Sequence, residues 1–364
     1  MAVKERKALE KIVSYKAART IESVCQEYGI DTIVKLAGNE SRLGCSPKVK
    51  EALLANMDEI AFYPDLNLTI LREKLQEIHH VDADQLVFGN GSFEIIQMLA
   101  LAYLEEGDET IIADPTFNWY GNVTVQMGAV PVYVPLRDFY NDLEGMKNAV
   151  TDKTKIIWIC NPNNPTGTLH SREEIEAFIR EVPDHVLIVV DEAYIDFAEN
   201  YGDSADLTLK YENVVILRTF SKLYGLASLR LGYGIAAPAV ISNINKVRNP
   251  INVNMAAYVA AIASLEDEEF KNSVIKRIQA SREYYYREFD KLGLFYVKAS
   301  GNFIFVRTGL NGKYVEAEFL KRGYMIRSGT DYGWDDYIRI SIGTEEENQR
   351  VIEILTEILN SSEG

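Results

Sequence analysis

The sequence predicts an α/β fold with a mainly parallel central sheet flanked by helices, plus a smaller α+β domain from the N- and C-terminal segments. Between about residues 85 and 236, short runs rich in Val and Ile alternate with amphipathic segments, as in parallel sheets covered on both faces. After residue 238 the pattern changes to longer helical segments followed by short strands. The seven runs are QLVFG (85–89), TIIADP (110–115), VPVYVP (130–135), KIIWIC (155–160), VLIVVD (186–191), NVVILRTF (213–220) and LGYGIA (231–236).

Two helical patterns lie between these strands. SREEIEAFIREV (171–182) begins with a capping box, because Glu174 stands three residues after Ser171. FEIIQMLALAYL (93–104) is apolar nearly all round, which is typical of a helix buried against a sheet. We therefore expect the strands to share one carboxyl edge, where open α/β sheets bind their ligands.

The remaining segments predict a second domain with its own small sheet. Helical patterns cover 253–265, 268–292, 314–322 and 345–359, and strands are predicted at 303–308, 324–329 and 337–343. KLAGNE (35–40) is typical of a strand that runs into a turn, so the first forty or so residues are expected to join this domain. We predict an N-terminal segment 1–45, a large domain 46–250 and a small domain 251–364, with a cleft between the domains.

Composition excludes several classes of partner. The chain has 38 Lys and Arg against 54 Asp and Glu, a net charge of −16, which argues against nucleic acid or an anionic membrane as partner. Three cysteines without a CxxC motif and only four histidines predict reduced thiols and no metal site. The charged N-terminus lacks a signal sequence, and no apolar run is long enough to span a membrane. We expect a cytoplasmic protein that acts on small molecules.

The segment RTFSKLYGLASLRLGY (218–233) places Lys222 just after an apolar strand, at the expected ligand edge. Thr219, Ser221 and Arg230 offer two hydroxyls and a guanidinium, which suit a phosphate. A lysine beside a phosphate site is what pyridoxal phosphate (PLP) requires, because the amine forms a Schiff base while fixed donors hold the phosphate. The alternative is a solvated loop lysine with a surface arginine.

Two further loops supply groups for the cofactor ring. Asp191, the first residue of DEAY, ends a buried strand and offers an anion to a protonated pyridine nitrogen. Tyr194 and Asn164, the latter in CNPNNPTG (160–167), could hydrogen-bond the phenolic oxygen of the cofactor. The alternative is a capping aspartate with a packed tyrosine.

Two more sheet-edge loops complete the set. In GNGSFE (89–94) the backbone N–H groups of Ser92 and Phe93 open a helix, whose N-terminus attracts anions. PTFNWY (115–120) supplies Phe117, which could stack on a flat cofactor, although such an aromatic is more often part of the core.

Together these motifs resemble those of fold-type I PLP-dependent aminotransferases. Over nearly its whole length the chain is similar to the histidinol-phosphate aminotransferase family. The other segments that carry this resemblance are KLAGNESRLGCSP (35–47), YPD (63–65), RNPINVN (248–254) and IRISIGTEEEN (338–348).

The resemblance implies a homodimeric PLP-dependent aminotransferase of histidine biosynthesis, which moves amino groups between histidinol phosphate and 2-oxoglutarate in a ping-pong reaction. It implies that Lys222 carries the cofactor and transfers the proton, that Asp191 pairs with the ring nitrogen, and that Asn164 and Tyr194 hold the phenolic oxygen. The phosphate ligands it implies are Ser92, Phe93 through its backbone, Thr219, Ser221, Arg230 and, across the dimer interface, Tyr63. For the substrate it implies that Arg339 clamps a carboxylate and that Tyr15 and Arg327 meet the phosphate, with Asn39 nearby.

The chain departs from the family pattern near the substrate. It has NESR (39–42) where the family usually has NENP, Phe93 at a usually acidic position, Phe117 at a tyrosine position, and SYKAART (14–20) in place of a Pro/Gly-rich segment. Three alternatives therefore stay open. They are an aminotransferase for aromatic or other amino acids, a PLP decarboxylase or oxidase of the same fold, and a PLP-binding regulator without turnover.

Overall fold

The computed structural model describes residues 3–12 and 21–362, in which strands and helices alternate along most of the chain. The strands are β1 (Val34–Lys35), β2 (Leu86–Gly89), β3 (Glu109–Asp114), β4 (Val130–Pro135), β5 (Thr154–Cys160), β6 (Leu187–Asp191), β7 (Val214–Thr219), β8 (Gly232–Ala236), β9 (Tyr296–Val297), β10 (Phe303–Arg307), β11 (Tyr324–Met325), β12 (Arg327–Ser328) and β13 (Tyr337–Ser341). The α-helices are α1 (Ile21–Tyr28), α2 (Pro47–Ala55), α3 (Thr69–His79), α4 (Ser92–Tyr103), α5 (Trp119–Gln126), α6 (Leu143–Asn148), α7 (Arg172–Glu181), α8 (Leu207–Lys210), α9 (Pro238–Val247), α10 (Met255–Leu265), α11 (Glu268–Lys291), α12 (Gly312–Lys321) and α13 (Glu345–Ser362).

The central sheet contains seven strands in the order β2-β8-β7-β6-β5-β3-β4. The neighbours from β7 to β4 run parallel, whereas β8 is antiparallel to both β2 and β7. Each of the seven predicted strands is present, with bounds that differ from the prediction by at most one residue. The predicted α/β fold with a mainly parallel sheet is therefore confirmed.

Both faces of this sheet are covered, which explains the uninterrupted apolar runs. In β7, Val214 and Ile216 belong to one core cluster, whereas Val215 and Leu217 belong to the cluster on the opposite face. Because successive residues of a strand point to opposite faces, a strand that is buried on both sides is apolar throughout and does not alternate apolar with polar residues. The predicted helix α7 covers one of these faces, and its capping box is present, since Ser171 and Glu174 bond each other's backbone N–H groups.

A second sheet, in the order β12-β13-β10-β9, is antiparallel throughout, and β1 pairs in parallel with β11. The strand predicted at 324–329 is thus two strands, because β11 pairs with β1 while β12 turns to pair with β13. Leu36 lies in the core of this region with Ile326, so the N-terminal segment from β1 onward packs with the C-terminal part of the chain.

Helices α10 and α11 are consecutive but belong to different cores. The buried residues of α10, among them Ala257 and Ala261, lie in a core cluster of the large sheet, whereas Val274 and Ile278 of α11 lie in the core of the small domain. The division at 1–45, 46–250 and 251–364 stays a prediction, and this packing favours a second boundary near Asp267, which caps α11. Within residues 3–12 and 21–362, no helix is long and apolar enough to cross a membrane.

Candidate active site

The carboxyl ends of β5, β6 and β7 bring most of the predicted site residues to one edge of the central sheet. Asp191, the last residue of β6, pairs in register with Cys160 of β5 and Leu217 of β7, and Lys222 follows β7 after a short turn. A cavity of about 320 Å³ opens at this edge, within the usual size of small-molecule sites. Ten predicted residues line it: Ser92, Phe93, Phe117, Asn164, Asp191, Tyr194, Thr219, Ser221, Lys222 and Arg230.

The amine of Lys222 is held between the two domains. Its Nζ donates a hydrogen bond to the carbonyl of Gly38 (3.3 Å) and lies 5.3 Å from the centre of the Tyr194 ring. Burial lowers the pKa of Lys222 to about 8, and Arg339 acts in the same direction, whereas Glu40 partly opposes the shift. A larger fraction of neutral amine is therefore present near pH 7 than for an ordinary lysine, and the neutral amine is the form that attacks a carbonyl or accepts a proton.

Asp191 is buried and accepts hydrogen bonds from the Tyr120 hydroxyl (2.7 Å) and the Ala193 N–H (3.2 Å). Burial raises the pKa of Asp191 to about 6, and the two hydrogen bonds oppose that shift. Tyr120, which the sequence analysis did not single out, stacks on Trp158 with ring centroids 5.2 Å apart. Only its place in PTFNWY could have drawn attention to it, because its partner Asp191 is 71 residues away in the chain.

Tyr194 and Asn164 are both tied to residues predicted for the substrate. The Tyr194 hydroxyl accepts a hydrogen bond from Asn39 Nδ2 (3.1 Å), and burial raises the pKa of this tyrosine. Asn164 Oδ1 accepts a bond from Arg339 Nη1 (2.6 Å). Asn39 is itself buried and held through its backbone N–H by Ser341 Oγ (2.8 Å). Each of the two groups predicted for the phenolic oxygen of the cofactor is therefore hydrogen-bonded to a residue predicted for the substrate.

The residues predicted for the phosphate form a polar cradle at the start of α4. The Ser221 N–H donates to Thr219 Oγ1 (3.1 Å), and Arg230 Nη1 donates to Ser221 Oγ (3.4 Å). Helix α4 begins at Ser92, and a Cβ added to Gly232 would lie only 2.2 Å from the Ser92 nitrogen. Glycine at 232 is thus what allows β8 to approach this helix N-terminus. Hydroxyls, a guanidinium and a helix N-terminus in one cavity fit the phosphate of PLP, as Lys222 and Asp191 fit its ring.

A second, larger cavity of about 740 Å³ adjoins the first and is lined by both predicted substrate arginines. Arg327 of β12 and Arg339 of β13 stand directly opposite each other, as expected for adjacent strands. Arg339 is buried and also donates to the Tyr332 hydroxyl (2.9 Å), while its Nε has no hydrogen-bond partner in the described part of the chain. Arg327 is about half exposed and pairs with Asp331 (2.9 Å). Of the two arginines, Arg327 is therefore the one that forms an ion pair at the rim of the cavity.

The remaining predicted residues lie at the margins of the site or beyond it. Tyr63 is 81% exposed and does not line either cavity, and Tyr15 lies outside the described residues. The Phe93 ring stacks on Trp119 (4.5 Å between centroids), which leaves the backbone of Phe93 at the cradle. The Phe117 ring packs edge-on to Tyr120 (5.4 Å).

Arg42, the charge that the NESR segment adds, does not face the cavities. Its guanidinium pairs with Glu347 at the start of α13. Glu347 also accepts a hydrogen bond from the Thr344 N–H (2.9 Å), so this carboxylate caps the helix as well. The added positive charge is thereby offset within the small domain.

Comparison with known proteins finds relatives that match nearly the whole chain. Residues 31–355 match the family described as aminotransferase class I and II. A histidinol-phosphate aminotransferase from Geobacillus sp. is 42% identical over 96% of this chain and 96% of its own length, and one from Moorella thermoacetica is 43% identical over 97% and 92%. The crystal structure of histidinol-phosphate aminotransferase from Sinorhizobium meliloti in complex with pyridoxal-5'-phosphate has a TM-score of 0.89 and 25% identity, covering 98% of this chain and 97% of that one.

Proposed function

The chain belongs to the aminotransferase class I and II family, and from this membership we propose that it exchanges amino groups between histidinol phosphate and 2-oxoglutarate, a step of histidine biosynthesis. It is a PLP-dependent aminotransferase that acts on small molecules. The observation that carries the substrate proposal is the pair Arg327 and Arg339, opposed on neighbouring strands over one cavity beside Lys222. Arg339 is buried and forms no ion pair within the described residues, and such a guanidinium calls for an anionic ligand, because an unpaired buried charge is costly. Arg327, which pairs with Asp331 at the rim, adds a second positive charge to the same cavity.

We assign the cofactor to the smaller cavity, with its phosphate in the cradle and its ring nitrogen at Asp191. When bound, PLP supplies an electron sink for the negative charge that develops at the substrate Cα. Asp191 keeps the ring nitrogen protonated, because a buried carboxylate stabilises a cation beside it. Tyr194 and Asn164 offer a hydroxyl and an amide to the phenolic oxygen.

Lys222 moves the proton in this proposal. With a substrate bound, the free amine of Lys222 would take the proton from the substrate Cα and return it two bonds away, to C4′ of the cofactor. A positioned base of this kind contributes roughly 10²- to 10⁴-fold to the rate. The lowered pKa of Lys222 suits this role, since a base whose pKa is close to the working pH both accepts and returns the proton.

The two arginines bind both amino donors. Glutamate brings two carboxylates and histidinol phosphate brings a phosphate dianion, and a guanidinium can hold either group through paired hydrogen bonds. Arg339 is fixed by Asn164 and Tyr332, whereas Arg327 reaches the cavity from its half-exposed position beside Asp331. We therefore assign the carboxylate of glutamate to Arg339 and the phosphate of histidinol phosphate to Arg327.

A matched substrate pair tests this assignment. We expect kcat/KM for histidinol phosphate to exceed that for histidinol by about 10²-fold, because charged hydrogen bonds contribute roughly 1.5–3 kcal/mol each. In Arg327→Gln this preference should fall by about tenfold, mainly through KM, while the rate with phenylalanine changes little. The control is Arg350→Gln, which removes an exposed arginine of α13. Equal kcat/KM for both substrates would contradict the assignment and favour an aminotransferase for aromatic or other amino acids.

We also propose a homodimer in the cytoplasm. A contiguous stretch of the chain around α2 and α3 exposes large apolar side chains, which monomeric proteins rarely do over a wide patch. They are Leu54, Met57, Ile60, Phe62, Tyr63, Leu66 and Ile70. Tyr63 in this surface would reach the phosphate cradle of the partner subunit. The cytoplasmic location is supported by three cysteines that form no disulfide.

A charge placed in this surface should separate the subunits. We expect Phe62→Asp to be monomeric at micromolar concentration by light scattering, because an unpaired carboxylate would be buried in the interface. Tyr63→Phe should stay dimeric but hold PLP less tightly, since it loses only the hydroxyl. A wild-type protein that is monomeric at the same concentration would contradict the proposed dimer.

A further inference from the structure

Asp138 and Phe139 form the tip of a tight turn that follows β4 in the large domain. Arg137 and Tyr140 exchange two backbone hydrogen bonds of 2.9 Å across it. The two residues between them both have positive φ, 50° for Asp138 and 72° for Phe139. Two-residue turns of this kind favour Asn-Gly or Asp-Gly, because at positive φ the Cβ atom of other residues crowds the backbone carbonyl. The backbone alone would therefore favour glycine at position 139, so the phenylalanine ring needs another explanation.

That ring packs on the small domain. Its centroid lies 5.3 Å from that of Trp334, 5.7 Å from Phe295 and 6.0 Å from Tyr337. Trp334 and Tyr337 in turn pack on Phe305 of β10, at 5.3 and 4.9 Å. Phe139 thus inserts an aromatic side chain of the large domain into an aromatic cluster of the other domain.

Trp334 ends a short segment, residues 327–334, which begins with Arg327 and also contacts Arg339. We call this segment the arginine loop. Asp331 of this loop pairs with Arg327, and the Tyr332 hydroxyl accepts a hydrogen bond from Arg339. The Trp334 N–H donates to the Gly329 carbonyl (3.1 Å), which closes the loop into a compact unit. The position of Trp334 is therefore coupled to the two residues that orient the arginines.

The backbone of the same turn is also tied to a loop that contributes Asn164 to the cavity lining. The Phe139 carbonyl accepts a hydrogen bond from Thr168 Oγ1 (2.8 Å), at the end of the loop that carries Asn164. This loop also contacts the small domain, because the Ser300 N–H donates to the Gly167 carbonyl (2.7 Å). Phe139 therefore lies between the loop of Asn164 and the arginine loop.

We propose that Phe139 is a positioning residue whose ring, docked between the domains, holds the arginine loop in the place where Arg327 and Arg339 bind the anionic groups of the substrate. Phe139 does not touch the substrate itself. The proposal rests on the anion-binding role assigned to the two arginines, but it does not depend on which amino donor the enzyme prefers.

Three variants separate this role from folding of the turn. In Phe139→Ala and Phe139→Gly we expect KM for glutamate to rise about tenfold while kcat and the affinity for PLP change little, because misplaced binding groups weaken binding. Glycine adopts the positive φ of position 139 without strain, so Phe139→Gly should be at least as stable as Phe139→Ala. It should nevertheless bind glutamate as weakly as the alanine variant does. Phe139→Leu retains an apolar side chain in the cluster and should restore most of the affinity. The matched control is Tyr140→Ala, which removes the next ring of the turn, one that packs on His170 of the large domain.

Trp334 provides a second readout that does not need turnover. We expect 2-oxoglutarate to change the tryptophan emission of the wild-type protein, with Trp334→Phe identifying the contribution of that residue. The midpoint of the titration should rise about tenfold in Phe139→Ala and Phe139→Gly. The proposal would be overturned if the midpoints and KM values were equal in the wild type and both variants. It would also be overturned if Tyr140→Ala raised the midpoint and KM as much as the Phe139 variants do. No binding of 2-oxoglutarate by the wild-type protein would instead contradict the anion-binding function assigned to the arginines.

Discussion

Lys222→Ala is expected to lower the rate of amino transfer by about 10³-fold or more, because it removes both the attachment point of the cofactor and the base that moves the proton. The variant should still bind PLP, since the phosphate cradle and Asp191 remain. The measurement is the rate at which PLP-loaded protein converts glutamate to 2-oxoglutarate in a single half-reaction.

Two further experiments sharpen this prediction. A small primary amine such as methylamine, added to the buffer, should restore part of the rate in Lys222→Ala and leave the wild type unchanged. Lys210→Ala removes an exposed lysine that pairs with Asp206 and lines neither cavity, so this variant should transfer amino groups at the wild-type rate. Multiple turnovers at the wild-type rate in Lys222→Ala would show that another residue moves the proton.

Asp191→Asn is expected to cost about 10²- to 10³-fold in amino transfer, the second largest effect. An amide cannot keep the cofactor ring nitrogen protonated, and removal of one member of a buried charge pair costs roughly 3–5 kcal/mol. The loss should appear in kcat at saturating PLP, and the dissociation constant for PLP should rise as well. Equilibrium dialysis and steady-state rates measure the two effects separately.

Tyr120→Phe is the matched variant for this change. It removes the 2.7 Å hydrogen bond to Asp191 and keeps both the carboxylate and the stacking on Trp158. A hydrogen bond to a charged group contributes about 1.5–3 kcal/mol, so the rate should fall by at most roughly 10²-fold and by less than in Asp191→Asn. An Asp191→Asn variant that is no slower than Tyr120→Phe would mean that the charge of Asp191 is not needed.

Much of the fold was predictable because the sequence patterns that indicate its strands and helices lie within single short segments. Seven apolar runs marked the strands of the central sheet, and Ser171 with Glu174 marked the start of α7. The placement of Lys222 and Asp191 at one edge followed from their positions after consecutive parallel strands. The opposition of Arg327 and Arg339 followed from two neighbouring strands of the small sheet.

The features that the sequence left open depend on contacts between distant residues. The strand predicted at 324–329 divides because β11 pairs with a strand some 290 residues earlier in the chain. The packing of α10 on the large domain depends on contacts with α2 and α3, which its own pattern does not reveal. The Tyr120–Asp191 hydrogen bond and the docking of Phe139 on Trp334 likewise join segments that carry no shared motif.

Absorbance of the PLP-loaded enzyme reports which amino donor it uses. L-histidinol phosphate, glutamate, phenylalanine and tyrosine are added singly, and the loss of the long-wavelength band of the cofactor is followed in each half-reaction. We expect histidinol phosphate and glutamate to convert the enzyme far faster than the two aromatic amino acids. Fast conversion by phenylalanine or tyrosine, with none by histidinol phosphate, would rule out histidinol phosphate as the amino donor.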